Sequence, residues 1–367
     1  MNSEKPIILV VGARPNYMKI APLYAELEAR GVNQKLLDTG QHYDEEMSKV
    51  FFRDLGLPVP DISLGIGSDS HATQTARIMV EFEKICNKLD PQMVIVVGDV
   101  NSTLACTLVA SKMNIRVAHV EAGLRSWDRK MPEEINRIVT DSLSDILFTP
   151  SIDGDQNLIK EGVPKEKIHF VGNIMIDSLF GILDKCEESE ILRKLSLTDF
   201  EYGIVTMHRP SNVDNLGNFS SIVEALEHVG RICKLVFPMH PRTEKNARNM
   251  GLMVRIEQIP GIEIIGPQGY LDFMALMKSA KFVLTDSGGL QEEATVLKIP
   301  CITMRDNTER PITISEGTNR LVGSKKEEII NGIEELINED YGDLSPPKYW
   351  DGQAASRIAD IIVEEIE

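Results

Sequence analysis

Short β-branched runs alternate with longer helix-like stretches along the whole chain, and this alternation constrains the fold more than any other feature. Strands are expected at Ile7–Val11, Val94–Val97, Val117–Val120, Ile146–Phe148 and His169–Val171. A second series follows at Gly203–Thr206, Lys234–Pro238, Ile262–Ile265, Phe282–Leu284 and Cys301–Met304. Helical stretches such as Tyr17–Arg30, Ala72–Leu89 and Phe219–Arg231 lie between them. Strands and helices in alternation mean parallel sheets with crossover helices. A chain of 367 residues is also long for one core. The expectation is therefore an α/β protein with two doubly wound sheets, one per half. The boundary is placed near Gly172, giving domains 1–172 and 173–353. The last helix, Ala354–Glu367, follows a loop containing two prolines and can belong to either half.

Composition narrows the function. Aromatic residues make up 5% of the chain and the formal net charge is -17. A base-stacking surface is then disfavoured, and nucleic-acid phosphates would be repelled. An anionic ligand would need a few basic groups focused against that background. Cys86, Cys106, Cys186, Cys233 and Cys301 are odd in number, scattered and free of any CxxC spacing. They read as reduced thiols in a cytoplasmic protein. Met1–Pro6 is polar, and the sequence contains no signal-like segment and no apolar run suited to a membrane.

In open parallel sheets, ligands bind beyond the carboxyl ends of strands. Those ends carry Gly12-Ala13-Arg14-Pro15, Gly98-Asp99 and Glu121-Ala122-Gly123 in the first half. In the second they carry His208-Arg209, His240-Pro241-Arg242, Asp286-Ser287-Gly288-Gly289 and Arg305-Asp306. The glycine pair Gly288-Gly289 at a strand-to-helix turn lets backbone N–H groups approach an anion, and Ser287 either caps the helix or bonds a phosphate oxygen. Glu293, one turn further, suits ribose hydroxyls or is simply a solvated acid. Arg14, with Lys19 nearby, offers a planar fork for a diphosphate, or a surface ion pair. Asp99, Glu121 and Glu133 are candidate general acids and bases, or ordinary capping acids. His208 can bond phosphate or shuttle a proton. His119 and Glu121 share a strand face by period two, but no third ligand has spacing suited to a metal. No GxxxxGK[ST] loop occurs, and Gly65-Ile66-Gly67 lacks the context of a dinucleotide fingerprint, so neither ATP nor nicotinamide is expected.

Many ordered motifs together make a resemblance. They are Gly12-Ala13-Arg14-Pro15 with Lys19-Ile20-Ala21-Pro22-Leu23, Gly40-Gln41-His42, Gly98-Asp99, His119-Val120-Glu121-Ala122-Gly123-Leu124-Arg125 and Pro132-Glu133-Glu134-Ile135-Asn136-Arg137. Gly172-Asn173, His208-Arg209, Thr285-Asp286-Ser287-Gly288-Gly289-Leu290-Gln291-Glu292-Glu293 and Met304-Arg305-Asp306-Asn307-Thr308-Glu309-Arg310-Pro311 complete the series. The chain resembles the non-hydrolysing UDP-N-acetylglucosamine 2-epimerases over almost its whole length. The resemblance implies a glycosyltransferase-B-like fold: two Rossmann-like domains around a central cleft, UDP held mainly by the second, and the final helix returning to the first. It implies a homodimer using neither metal nor nicotinamide. Asp99, Glu121, Glu133 and His208 match the family's catalytic set. Arg14, Lys19, His208, Phe273, Ser287, Gly288, Gly289, Glu293 and Arg310 match its contacts to the UDP-sugar.

Some members are activated by substrate at a neighbouring site, for which Gln41, His42 and His240 are the candidates. Tyr43 departs from the arginine common there in bacterial members, and the Arg125–Met131 loop is shorter than their usual version. Gln41-His42-Tyr43-Asp44 and His240-Pro241-Arg242-Thr243 look closer to relatives acting on a UDP-2,3-diacetamido-uronic acid, whereas Thr308-Glu309-Arg310-Pro311 looks like the N-acetylglucosamine enzymes. The implied reaction is C2 epimerisation through loss and re-addition of UDP. The alternatives are the diacetamido-uronic acid epimerase, a hydrolysing epimerase, a glycosyltransferase of the same fold and a non-catalytic UDP-sugar binder.

Overall fold

The segment Ile7–Val11 is an unbroken apolar run, and every residue of it is buried. Its alternate side chains enter two different cores. Ile7, Leu9 and Val11 pack on one side, Ile8 and Val10 on the other, and Met93–Val97 divides in the same way. Such a strand needs helices on both faces of its sheet, which is what an all-parallel arrangement provides.

The computed structural model describes residues 5–41, 56–336, 339 and 341–367, apart from the side chain of Arg14. The chain divides into two compact units, one of residues 1–181 with 348–367 and one of residues 182–347. The first carries a seven-stranded sheet in the order β3-β2-β1-β4-β5-β6-β7. Its strands are β1 Ile7–Val11, β2 Gln34–Asp38, β3 Ile62–Ser63, β4 Met93–Val97, β5 Arg116–Val120, β6 Ile146–Thr149 and β7 Ile168–Phe170. The second carries a six-stranded sheet in the order β10-β9-β8-β11-β12-β13. These strands are β8 Tyr202–Thr206, β9 Lys234–Pro238, β10 Ile262–Ile265, β11 Phe282–Thr285, β12 Cys301–Thr303 and β13 Asn319–Leu321. All recorded pairings are parallel.

Both orders are doubly wound. The chain steps outward one way, then restarts beside its first strand and steps out the other way. The reversal lies between β1 and β4 in the first unit and between β8 and β11 in the second. These two switch points are where such sheets leave a crevice for a ligand.

The helices read cleanly from local chemistry. Helix His71–Leu89 starts where the Ser70 hydroxyl accepts the Thr73 N–H, buries Gln74, Ile78, Phe82 and Cys86 at four-residue spacing, and ends at left-handed Asp90. In the first unit, Ala354, Ala355, Ile358, Ala359 and Ile362 of the last helix join the core that holds Tyr17, Ile20, Leu23 and Leu27 of helix Arg14–Ala29. The Asp177 carboxylate accepts the Ala354 and Ala355 N–H groups at 3.2 and 2.8 Å, fixing where that helix begins. The units therefore part inside helix Ile174–Cys186 and again near Lys348, not at 172 and 353. A continuous helix leaves no break in composition to mark the first division. No described helix is long and apolar enough to cross a membrane.

Candidate active site

At the first switch point, Gly98 follows β4 with φ 68° and Glu121 follows β5 with φ 74°. A side chain at Gly98 would stand 3.1 Å from Lys19 Nζ and 3.3 Å from Glu121 Oε2. Glycine there keeps room for a buried ion pair between Lys19 and Glu121. Asn16 secures the same corner, accepting the Ala13 N–H at 3.1 Å and donating to the Val97 carbonyl at 3.1 Å.

Asp99, the next residue, has a side chain 32% exposed, and its Oδ2 lies 2.5 Å from Arg137 Nη1. Arg137 also grips Glu134 at 2.5 Å, and Asn136 donates to the Asp99 carbonyl at 2.8 Å. Glu134 accepts the Ser126 and Trp127 N–H groups at 2.9 and 2.8 Å. Burial opposes its charge, but Arg137 and these donors hold its carboxyl below the usual range. Of the two adjacent acids on helix Pro132–Leu143, Glu134 is thus the framework residue. Glu133 is half-buried on the same first turn.

His119 and Glu121 do not share a face. The strand ends at Val120, and the left-handed turn at Glu121 breaks the period of two. His119 instead meets Asp141 and the Gly98 carbonyl. Among the described residues, no group of three or more His, Cys, Asp or Glu is placed to hold a metal ion. Gln41 is buried, and its Oε1 accepts the Ser102 N–H at 3.0 Å and the Ser102 hydroxyl at 2.7 Å. His42 lies outside the described residues, as does the side chain of Arg14, the residue that opens the first helix.

At the second switch point Asp286 is fully buried and anchors the turn after β8. Its carboxylate accepts the His208 N–H at 3.0 Å, the Arg209 N–H at 2.9 Å and Asn212 Nδ2 at 3.1 Å. The His208 side chain is 44% exposed, 3.2 Å from Asp286 Oδ1, and tilted against the ring of His240 at 5.4 Å. Crowding by surrounding protein lowers its pKa most; Asp286 opposes this, while Arg209, Arg242 and Arg305 add to it.

Helix Gly288–Leu297 opens beside this turn. Ser287 stands at its N-cap, yet its side chain makes no capping bond. The first amides of a helix have no acceptor within it, and a start of this kind suits an anion. A side chain at Gly288 would come within 2.5 Å of Glu309 Oε1 and 2.6 Å of Arg310 Nη1; one at Gly289 would meet nothing within 4 Å. Arg310 bonds Glu309 at 2.5 Å and Glu292 at 2.8 Å, and Arg305 bonds Glu309 at 2.7 Å. Burial opposes the charge on Glu309, but Arg310, Arg305 and Arg209 hold its carboxyl well below the usual range. Glu293 is buried, not solvated, and accepts the Tyr270 hydroxyl at 2.8 Å. Half-buried Phe273 sits one turn after Tyr270 on helix Tyr270–Lys278.

Each unit therefore brings its own candidates together: Lys19, Asp99, Glu121 and the Glu133 turn in the first; His208, Ser287, Gly288, Gly289, Glu293 and Arg310 in the second. The family described as UDP-N-acetylglucosamine 2-epimerase matches residues 25–363. The chain belongs to that family. It is 43% identical over 359 residues to the UDP-N-acetylglucosamine 2-epimerase of Methanocaldococcus jannaschii, spanning 96% of this chain and 98% of the relative. A crystal structure of UDP-GlcNAc 2-epimerase from that organism, in complex with UDP-GlcNAc and UDP, matches with a TM-score of 0.92 over 98% of this chain and 99% of that one, at 43% identity. The UDP-2,3-diacetamido-2,3-dideoxy-D-glucuronate 2-epimerase of Pseudomonas aeruginosa is 38% identical over 366 residues, 98% of this chain and 99% of the relative. The fold of this family member is accordingly of the glycosyltransferase-B type, built from two Rossmann-like units.

Asp286, Glu134, Arg137 and Glu309 lie within the motifs, but the sequence assigns none of them a site role. Asp286 and Arg137 matter through partners far along the chain, in the Asp286–His208 and Asp99–Arg137 contacts, whereas Glu134 and Glu309 are held mainly by neighbours within a few residues. The one available signal was an acid buried inside a motif rich in glycine or arginine.

Proposed function

We propose that the protein interconverts UDP-N-acetylglucosamine and UDP-N-acetylmannosamine by eliminating UDP to 2-acetamidoglucal and adding it back. The C2 hydrogen of the sugar has no neighbouring carbonyl, so its direct removal would leave an unstabilised carbanion. As the C1–O bond to UDP breaks, positive charge grows at C1 and the C2 proton becomes acidic. A base takes that proton, the C1–C2 double bond forms and UDP leaves with the bonding electrons. UDP then attacks C1 again while a proton arrives on the opposite face of C2.

The observation that carries this reading is the helix start at Ser287-Gly288-Gly289. Its N-cap residue Ser287 makes no capping bond, and Arg310 lies close beside it. Such a start stabilises leaving-group charge on a diphosphate. In this reading Arg14, Lys19, His208 and Arg310 add positive or hydrogen-bonding character around the diphosphate, and Phe273 and Glu293 take the nucleoside. Asp99, Glu121 and Glu133 supply the proton transfers. Gln41, His42 and His240 are assigned to a second, regulatory substrate contact. The protein acts as a homodimer and requires neither metal nor nicotinamide, to be checked by light scattering and by activity in chelator.

The test is proton NMR of UDP-N-acetylglucosamine with pure protein in D2O. The expected outcome is the manno epimer, with deuterium at C2 in both sugars. Retention of protium at C2 through many turnovers would rule out elimination, and free UDP released in step with N-acetylmannosamine would assign a hydrolysing enzyme. A second reading, epimerisation of UDP-2,3-diacetamido-glucuronate, is favoured by His240-Pro241-Arg242-Thr243 and by the Pseudomonas aeruginosa relative. Running the same assay on both sugars separates them by kcat/KM.

A further inference from the structure

Behind the acids of the first unit runs a chain of buried ionic contacts that touches no position proposed for substrate. His119 Nδ1 lies 2.6 Å from Asp141 Oδ1, and His119 Nε2 lies 2.8 Å from the Gly98 carbonyl oxygen. The other Asp141 oxygen accepts the Gly123 N–H at 3.1 Å and Arg125 Nη1 at 2.7 Å. Arg125 continues to Glu161, at 2.8 Å through Nε and 2.6 Å through Nη2. The side chains of His119 and Arg125 are 0% exposed and that of Asp141 is 1% exposed.

Two features distinguish this chain of contacts from ordinary core filling. Apolar side chains would occupy the same space without the cost of dehydrating ions, so the arrangement contributes geometry rather than stability. Two of its contacts also fall on the two turns that carry acids. Gly98, whose carbonyl meets His119, directly precedes Asp99; Gly123, whose N–H meets Asp141, lies just past Glu121. Gly98 and Glu121 are both left-handed; glycine takes that backbone freely, but at Glu121 it persists only where its surroundings over-determine it. Two further bonds complete the restraint: Gly98 N–H to the Val120 carbonyl and Glu121 N–H to the Phe148 carbonyl, each 3.1 Å.

We infer that His119 and Asp141 are a positioning pair for the epimerisation, fixing through the Gly98 carbonyl and the Gly123 amide the directions in which Asp99 and Glu121 leave their turns. The inference rests on the function proposed above and adds residues that never touch the sugar. It differs from a purely structural role in one respect: its loss is felt through Asp99 and Glu121 and nowhere else.

The test uses the full chain carrying Asp141→Asn, which keeps the size of the side chain and removes its charge. Displacing a reacting group by about 1 Å should lower kcat about a hundred-fold. UDP affinity, measured by calorimetry and assigned to the second unit, should be unchanged. The triple variant Asp99→Asn/Glu121→Gln/Asp141→Asn should be no slower than the double variant Asp99→Asn/Glu121→Gln, because misplacing two absent carboxylates has no further effect. Wild-type kcat in Asp141→Asn, a fall in UDP affinity that parallels kcat, or a further loss in the triple variant would each overturn the inference. Should Asp141→Asn not fold, His119→Gln keeps a donor for the Gly98 carbonyl while depriving Asp141 of the imidazole, and carries the same three readings. A wild-type protein without C2 exchange sinks the proposed function; an active wild type with an equally active Asp141→Asn sinks the positioning pair alone.

Discussion

Glu293 is the residue whose chemistry departs furthest from its sequence appearance. Near the start of a helix, a glutamate is usually a solvated acid. Here it is buried against Tyr270. Burial dominates; the Tyr270 hydroxyl partly offsets it, Glu292 adds repulsion, and the carboxyl is pushed from 4.5 up to about 8. At neutral pH it is largely protonated, so it can donate to one hydroxyl while accepting from another, which suits the vicinal pair of a ribose. The folded pKa lies above the unfolded one. The stability that this neutral carboxyl contributes is therefore whole below about 4.5 and is lost as pH rises through about 8. Glu293→Gln cannot ionise, so its melting temperature should fall less than that of the wild type between pH values of about 5 and 9. Parallel melting curves across that range would show that Glu293 does not titrate there. Other side chains of the site are likewise set by their partners and not by their type. Glu133 and Glu134 are neighbours with identical side chains, and only the position of Arg137 and the Ser126 and Trp127 amides decides which is framework. His119 and Glu121 looked like face partners until the backbone turned left-handed at Glu121.

Helix Gly288–Leu297 shows how two adjacent glycines do different work. Gly288 makes room for Glu309 and Arg310, whereas Gly289 faces open space. Gly288→Ala should therefore disturb the fold itself, by about 1–3 kcal/mol from overpacking. Gly289→Ala should leave stability unchanged or raise it by up to about 1 kcal/mol, from the better helix propensity of alanine. Both should weaken UDP binding, Gly288→Ala by moving Arg310 and Gly289→Ala by crowding the phosphates. Chemical denaturation with calorimetry on the same samples separates the two effects. A Gly289→Ala variant with wild-type UDP affinity would place the diphosphate elsewhere. Elements differed in legibility for a comparable reason. The interior strands, such as the all-buried Met93–Val97, announce themselves as apolar runs. Strands β2, β3 and β13 carry no such signal. Gln34–Asp38 carries only two leucines among polar residues, and Ile62–Ser63 and Asn319–Leu321 are too short to show a period. Both β3 and β13 are sheet edges, where burial no longer demands an apolar sequence.

The two units are unequal as pieces of chain. The second is contiguous, 182–347, with its own apolar core packed on one face of its sheet. The first is not: residues 348–367 return to it from beyond the second. That return is a packing requirement. Without it the face of helix Arg14–Ala29 loses Ile358, Ala359 and Ile362, and Asp177 loses the two helix N–H groups that it caps. Exposing several such apolar side chains removes roughly 2 kcal/mol for each, a large share of the 5–15 kcal/mol that holds a typical domain together. Residues 1–181 alone should therefore fail to melt cooperatively, and joining 348–367 to them through a flexible linker should restore a cooperative transition. Residues 182–347 alone should fold cooperatively. If UDP is held mainly by this unit, they should also bind UDP detectably while showing no exchange at C2, since Asp99, Glu121 and Glu133 are absent. Circular dichroism on the three proteins tests the folding claims, and calorimetry on the last tests the division of labour. A folded 182–347 that ignores UDP would mean that Arg14 and Lys19 of the first unit carry more of the grip than the helix start at Ser287 does.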